Sequence, residues 1–238
     1  MKHAEKIPAD LCDCPQWVCY KLPRKIPFDP KTNKTSSSTD RTTWGTFSQA
    51  VEAMARDQHD VIGFCFSPDD PYVGIDLDGC RNPENGIIEP WAKRIIKKLN
   101  SYAEVSPSHT GVKIFVKGES PYRSGRKFEN LIVEAPHGVD KKAAIEVYDH
   151  GRYFCVTGMR LSGFDAIQVI DAETIKATLE EFVETHDAPK YAAPSLDGDQ
   201  LFERARKYVS MMPAAVSGSG GDMATFRVAC ALVAGFGL

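Results

Sequence analysis

An α+β domain with a mostly antiparallel sheet is the fold class this sequence predicts, on three observations. Short strand-like segments follow one another, helical periodicities are interleaved between them, and at one point two such segments flank a tight turn. Taken in order, residues 1–45 hold one strand candidate, "QWVCYKL", and then a polar arm, "KIPFDPKTNKTSSSTDRTTW", whose prolines and Ser/Thr run argue against regular structure. A helix fits Thr46 to Arg56, with Phe47, Ala50, Val51 and Met54 at 3/4 spacing. "VIGFCFS" and "YVGIDLD" follow, with the turn "SPDDP" between them, and predict a hairpin. Pro90 stands where a first helical residue belongs, and Trp91, Ile95, Ile96 and Leu99 form a stripe opposite Lys93, Arg94, Lys97 and Lys98. "AEVS", "GVKIFVKG", "AAIEVYD" and "RYFCVTG" read as further strands, with a long polar loop from Glu119 to about Lys142 among them. A last helix of this region fits Asp171 to Glu184 through Ile175, Leu179, Phe182 and Val183.

From His186 to about Gln200 the composition becomes that of a linker, "HDAPKYAAPSLDGDQ". The expected organisation is therefore one folded domain over 1–185, a linker over 186–200 and the start of a helical region over 201–238. In that region Leu201–Ser210 and Met223–Phe236 are helix candidates. The second is apolar on nearly every side and needs a partner these residues do not supply, which implies a longer protein.

With 238 residues, 42% hydrophobic and 26% charged, the chain can bury one large core or two smaller ones. A net charge of −3 gives no global basic signature. Any nucleic-acid role must then come from local clusters such as Lys113, Lys117, Arg123, Arg126 and Lys127. The seven cysteines are odd in number and scattered, and read as reduced thiols of a cytoplasmic protein. Cys12, Cys14 and Cys19 resemble half a zinc site, but no second ligand pair follows at finger spacing. The N-terminus "MKHAEKIPADLC" has no apolar h-region, and the run Met223–Leu238 is too short to span and carries Arg227. Neither secretion nor a membrane span is indicated.

The chemistry concentrates in three places. In "VGIDLDGC", Val73, Ile75 and Leu77 alternate with Gly74, Asp76 and Asp78, so one strand face packs while the other carries two carboxylates. At roughly 5 Å and an effective dielectric near 20 these repel by about 3 kcal/mol, which calls for a positive charge between them. A calcium loop starting at Asp76 is excluded, because Arg81 and Ile87 stand where it needs Gly and Glu. In "EVSPSHTGVKIFVKG", Ser106, Ser108, Thr110 and Gly111 precede a strand whose Lys113 points away from the Val112, Ile114 and Val116 face. Hydroxyls, backbone N–H groups and a cation there suit a phosphate, and His109 is either a further contact or a turn residue. In "AIEVYDHGRYFCVTG", Ile145 and Val147 pack while Glu146 and Tyr148 share the opposite face, which offers a third carboxylate in mid-strand. Three acids on sheet faces beside a phosphate turn suit two divalent cations about 4 Å apart, and nucleotidyl transfer is the natural reaction.

The motifs, in this order, resemble those of the archaeo-eukaryotic primase superfamily, specifically the primase-polymerase (prim-pol) domains at the N-terminus of phage and plasmid replication proteins. The likeness covers most of residues 10–185, from the polar arm through "GIDLDGC" and "SPSHTGVKIF" to "IEVYDHGRYFCVTG". It implies an RRM-like catalytic sheet joined to a small α/β N-terminal unit. It also implies metal-binding and catalytic roles for Asp76, Asp78 and Glu146, and triphosphate contacts from Ser106, Ser108, Lys113 and Arg152. Two ions of Mg²⁺ or Mn²⁺, nucleoside triphosphates, a single-stranded DNA template and a helicase region in the full-length chain belong to the same expectation. Many relatives have glycine at the place of His109 and histidine at that of Lys113. A lysine can neutralise phosphate but cannot shuttle a proton near neutral pH unless strongly desolvated. Arg152 and Tyr153 face opposite ways in a regular strand, so Arg152 is expected at the loop end, with Tyr153 stacking on or gating the sugar. Template is expected along Arg123–Lys127 or the basic helix face Lys93–Lys98. A metal-dependent nuclease and a non-catalytic RRM-like module for single strands remain alternatives. The triphosphate cradle counts against the first, and the acidic sheet face against the second.

Overall fold

The computed structural model describes residues 3–22, 26–133, 135–136, 139–184 and 198–210. Two compact units divide at Glu184/Thr185. In the first, the elements run α1 (Ala9–Cys12), β1 (Trp17–Tyr20), β2 (Pro27–Phe28), α2 (Phe47–Asp57), β3 (Val61–Cys65), β4 (Tyr72–Asp78), α3 (Pro90–Leu99), β5 (Ala103–Val105), β6 (Val112–Lys117), β7 (Arg126–Phe128), β8 (Ala144–Tyr148), β9 (Tyr153–Val156) and α4 (Ala172–Glu180). The second contributes α5 (Gly198–Ser210), which begins three residues before the expected Leu201. Most of the expected linker, and the helix expected over Met223–Phe236, lie outside the described residues.

The α+β class holds, with two antiparallel sheets in place of one: β2-β1-β3-β9 and β5-β6-β4-β8-β7. The expected hairpin between "VIGFCFS" and "YVGIDLD" does not form, because β3 and β4 belong to different sheets. Both edges of β3 are already taken, by β1 and β9. The "SPDDP" segment is instead a crossover fixed by Asp70, whose carboxylate accepts hydrogen bonds from Ser67 N (2.9 Å), Tyr72 N (2.7 Å) and Gln16 Nε2 (2.6 Å). Strand β7 sits inside the stretch expected as loop. Its Arg126 and Lys127 are exposed and only Phe128 is buried, so an edge strand of three residues leaves no alternating pattern to read.

Helix α2 starts with a capping box, the Thr46 hydroxyl accepting from Gln49 N (3.2 Å) and the Gln49 side chain from Thr46 N (2.9 Å). Helix α3 has Pro90 in its first turn and buries Trp91, Ile95, Ile96 and Leu99, as the stripe predicts. Helix α4 is capped by Asp171 and ends at Glu180, short of the expected Glu184, where Val183 bridges to Leu131. With α3 and α4, the residues Val73, Ile75, Leu77, Val112, Ile114, Val116, Ile145 and Val147 form one core on one face of the five-stranded sheet.

The opposite face of that sheet is divided. At one end Tyr72 and Phe115 pack with Trp17, Phe64, Phe66 and Phe154 in an aromatic core between the sheets. At the other end the same strands present Asp76, Asp78, Lys113 and Glu146. The closest approach falls at Gly74, where an added Cβ would lie 2.3 Å from Phe66 Cζ and 2.5 Å from Phe154 Cε2. Gly74→Ala is therefore expected to lower stability by about 1–3 kcal/mol through overpacking. An unchanged Tm in thermal denaturation would show that the aromatic layer yields freely.

Candidate active site

Antiparallel register sets the site. Glu104 of β5 lies opposite Lys113 of β6, Lys113 opposite Asp76 of β4, Asp76 opposite Glu146 of β8, and Glu146 opposite Lys127 of β7. Side chains directly opposite one another have Cβ atoms about 5 Å apart, so five ionisable groups form one row across the sheet. Their signs run negative, positive, negative, negative, positive. Asp76 and Glu146 are thus the one junction of like charge in the row, and like charges directly opposite are unfavourable unless a cation is supplied. Asp78, two residues along β4 from Asp76, adds a third carboxylate on the same face.

Each acid has a lysine. Lys113 Nζ contacts Asp76 Oδ2, Lys141 Nζ lies 2.5 Å from Asp78 Oδ1, and Lys127 Nζ lies 3.3 Å from Glu146 Oε1. In this arrangement the three acids do not close on one point as a ready metal cluster among the described residues. One oxygen is left over. Asp76 Oδ1 is buried and has no hydrogen-bond partner, which is costly for a carboxylate and fits a hard-cation ligand. Burial pushes the Asp76 carboxyl above the usual range, with Asp78 and Glu146 acting in the same sense against the pull of Lys113. For Lys113, burial is the largest influence and works downward, but Asp76, Cys155 and Asp78 together leave its pKa above the ordinary value.

The lysines are not equivalent. Lys113 is buried, with its Nζ 4.3 Å from the centroid of the Phe154 ring, so it is fixed at the floor of the site. Lys127 and Lys141 are 45% and 44% exposed. Lys127 has a second partner in Glu129 at 2.8 Å, and its pKa is held above the ordinary value first by Glu129 and then by Glu146.

The serine-rich turn is pinned to the end of β4. Both Cys80 N and Arg81 N donate to Thr110 O, at 3.0 and 3.1 Å. Gly111 allows this approach, since a Cβ there would be 2.7 Å from Leu77 O, 3.2 Å from Ser106 Oγ and 3.5 Å from Asp78 Oδ1. Ser106 Oγ accepts from Gly111 N (3.1 Å) and shares a hydrogen bond with Ser108 Oγ (3.1 Å), which in turn meets Thr110 Oγ1 (2.8 Å). The hydroxyls thus satisfy one another beside the Asp78 carboxylate. His109 has φ 61°, the left-handed region in which glycine is easiest, and its side chain is exposed.

A cavity of about 350 Å³ opens over the row, lined by Ser38, Asp76, Glu146, Tyr148, Arg152, Tyr153, Phe154 and Cys155. Arg152 precedes β9 and Tyr153 begins it, the placement the parity argument requires. The guanidinium of Arg152 lies 5.6 Å from the Tyr148 ring centroid, and the Tyr148 hydroxyl donates to Glu146 Oε2 at 3.0 Å. The polar arm supplies Ser38, whose Oγ donates to Gly151 O at 3.0 Å. The structure therefore brings Asp76, Asp78, Glu146, Ser106 and Lys113 together on one face, with Arg152 and Tyr153 on the adjoining wall.

Several participants were not singled out from sequence. Glu104 is fully buried and accepts from Tyr102 OH (2.8 Å), Thr157 N (2.8 Å) and Gly158 N (3.0 Å), tying the edge of one sheet to the chain leaving the other. Its signal was the one that revealed Glu146, a carboxylate between Ala103 and Val105 in mid-strand. Lys141 and Ser38 lie in polar stretches where no periodicity marks one residue over its neighbours, and Lys127, named only as part of a basic cluster and template track, also pairs with Glu146 in the row. Glu181, at the C-terminal end of α4, pairs with Arg94 of α3 and lies 3.9 Å from Lys98, so part of the basic face is already neutralised.

No protein-family model matches the sequence. A DNA primase-polymerase of Nitratiruptor phage NrS-1 is 32% identical over 196 residues, which covers 81% of this chain and 26% of that protein. The chain thus spans about a quarter of the relative it matches. Among the described residues no helix is long and apolar enough to cross a membrane. By sequence kinship over most of its length, this chain is a primase-polymerase homologue.

Proposed function

We propose that residues 1–185 form the nucleotidyl-transfer domain of a phage or plasmid DNA primase-polymerase, which extends a strand on a single-stranded template from nucleoside triphosphates. The observation that carries this reading is the junction of Asp76 and Glu146 in a register row whose other neighbours alternate in sign, with Asp76 Oδ1 buried and unpartnered. We read the five-stranded sheet backed by α3 and α4 as the RRM-like catalytic sheet. The four-stranded sheet corresponds to the small N-terminal unit, completed by β9 from the far end of the domain.

Asp76, Asp78 and Glu146 would hold Mg²⁺ or Mn²⁺. When bound, such ions lower the pKa of the attacking 3′-hydroxyl and neutralise charge on the leaving pyrophosphate. The chain's own residues do the positioning. Lys113 is the counter-ion of the buried Asp76, and the Ser106–Gly111 turn, bonded to the end of β4, offers hydroxyls to the phosphates beside Asp78. Arg152 faces the cavity from the loop end, its plane supported by Tyr148. Tyr153 lines the same wall and is read as the residue against which the sugar rests. The exposed Arg123, Arg126 and Lys127 are read as a template track beside the site.

With a primed single-stranded template, labelled nucleotides and Mn²⁺, the protein is expected to extend the primer. Asp76→Ala/Asp78→Ala is expected to reduce extension by at least about a hundredfold, more than the loss of an outer-shell partner. Shortening of the template in place of extension would support a nuclease, and binding without either would support a non-catalytic module. Lys113→Met leaves Asp76 buried without its counter-ion and is expected to cost about 3–5 kcal/mol in urea denaturation. Adding Asp76→Asn in that background should recover much of the loss, and simple additivity of the two substitutions would contradict the pairing. Tyr153→Ala is expected to change the ratio of ribo- to deoxyribonucleotide incorporation, and an unaltered ratio would remove Tyr153 from the sugar site.

A further inference from the structure

We propose that Lys141 is a triphosphate-binding residue that Asp78 holds in place until divalent cations arrive. The inference rests on the nucleotidyl-transfer reading above and deepens it. Lys141 lies in the polar stretch before β8, outside every motif that carries the family resemblance.

Three observations converge on it. First, its root is fixed. Gly79 has φ 56°, and a Cβ there would lie 2.5 Å from both the Lys141 and the Lys142 carbonyl oxygens, so this backbone rests directly on the chain leaving β4. Second, its ammonium is at the phosphate turn. Lys141 Nζ lies 2.5 Å from Asp78 Oδ1, and that same oxygen and Ser106 Oγ flank Gly111, at 3.5 and 3.2 Å from where its Cβ would be. Third, solvent reaches it from the side away from Asp78. The Lys141 side chain is 44% exposed, whereas Asp78 is 14% exposed.

A divalent cation outcompetes an ammonium for a carboxylate, because it carries twice the charge and accepts several oxygens at once. The three lysines then behave differently. Lys113 is buried under Phe154 and remains with Asp76. Lys127, released from Glu146, still has Glu129 at 2.8 Å. Lys141 has Asp78 as its one carboxylate partner among the described residues. Once displaced, its charge stands beside the serine hydroxyls with no acid to balance it, and a polyphosphate laid on that turn supplies the missing anion. In the absence of ions the same contact neutralises Asp78.

The test uses the full 238-residue chain with Lys141→Met, Lys127→Met and Asp78→Asn. Mn²⁺ binding without nucleotide is followed by electron paramagnetic resonance, and inorganic triphosphate binding in excess Mg²⁺ by calorimetry. Lys141→Met is expected to bind Mn²⁺ about three- to tenfold more tightly and triphosphate about three- to tenfold more weakly. Lys127→Met is expected to tighten Mn²⁺ while leaving triphosphate unchanged. If Lys141→Met binds Mn²⁺ no more tightly, or triphosphate as well as the parent chain does, the proposal is overturned. Should the parent chain show no Mn²⁺ uptake that Asp78→Asn removes, the metal-dependent reading falls with it. Asp78-dependent uptake without the lysine effects removes this proposal alone. Both lysines are substantially exposed, and circular dichroism of each variant verifies that the fold persists.

Discussion

Cross-strand register is the constraint on which this site depends. Antiparallel pairing of β5, β6, β4, β8 and β7 places Glu104, Lys113, Asp76, Glu146 and Lys127 side by side, and a slip of one residue in any strand would turn its charge into the helix-packed core. The register is held from the other face, where Val73, Ile75, Leu77, Val112, Ile114, Ile145 and Val147 are fully buried against α3 and α4. Hydrophobic packing on one side of the sheet thus fixes electrostatics on the other. The resulting row alternates in sign except where Asp76 meets Glu146, and that junction is where a cation is wanted.

The second sheet turns this row into a site. Its aromatic residues cover the Tyr72 and Gly74 end of the acidic face and place Phe154 over Lys113, which removes water from the floor. Strand β9 also brings Arg152 and Tyr153 to the wall, although it follows the last acidic motif in sequence and pairs with β3. The polar arm closes the rim through Ser38, and is ordered by its own side chains: Lys31 Nζ donates to Thr42 O and Trp44 O, and the Trp44 indole to Ser37 O. An irregular segment with enough local hydrogen bonds is a structural element in its own right.

Much of this was legible in the residues. Period-2 alternation around Asp76, Lys113 and Glu146 revealed which side chains share a face, and 3/4 spacing located α2 and α3 to within a residue or two. Pairing partners were less accessible. "VIGFCFS" and "YVGIDLD" looked like a hairpin because both are strand-like and a turn joins them, yet strand identity does not say which sheet receives each one. Strand β7 went unseen because only Phe128 of its three residues is buried. Nor does local sequence disclose the lysines that neutralise Asp78 and Glu146, since Lys141 and Lys127 reach their partners across 63 and 19 positions of chain, a product of tertiary fold alone.

The most direct measurement is anomalous diffraction at the manganese edge from crystals of this chain soaked with Mn²⁺ and a non-hydrolysable nucleoside triphosphate. The account predicts peaks at coordination distance, about 2.2 Å, from oxygens of Asp76, Asp78 and Glu146, including the now unpartnered Asp76 Oδ1. A map with no peak at the Asp76–Glu146 junction, the carboxylates still paired only with their lysines, would contradict it.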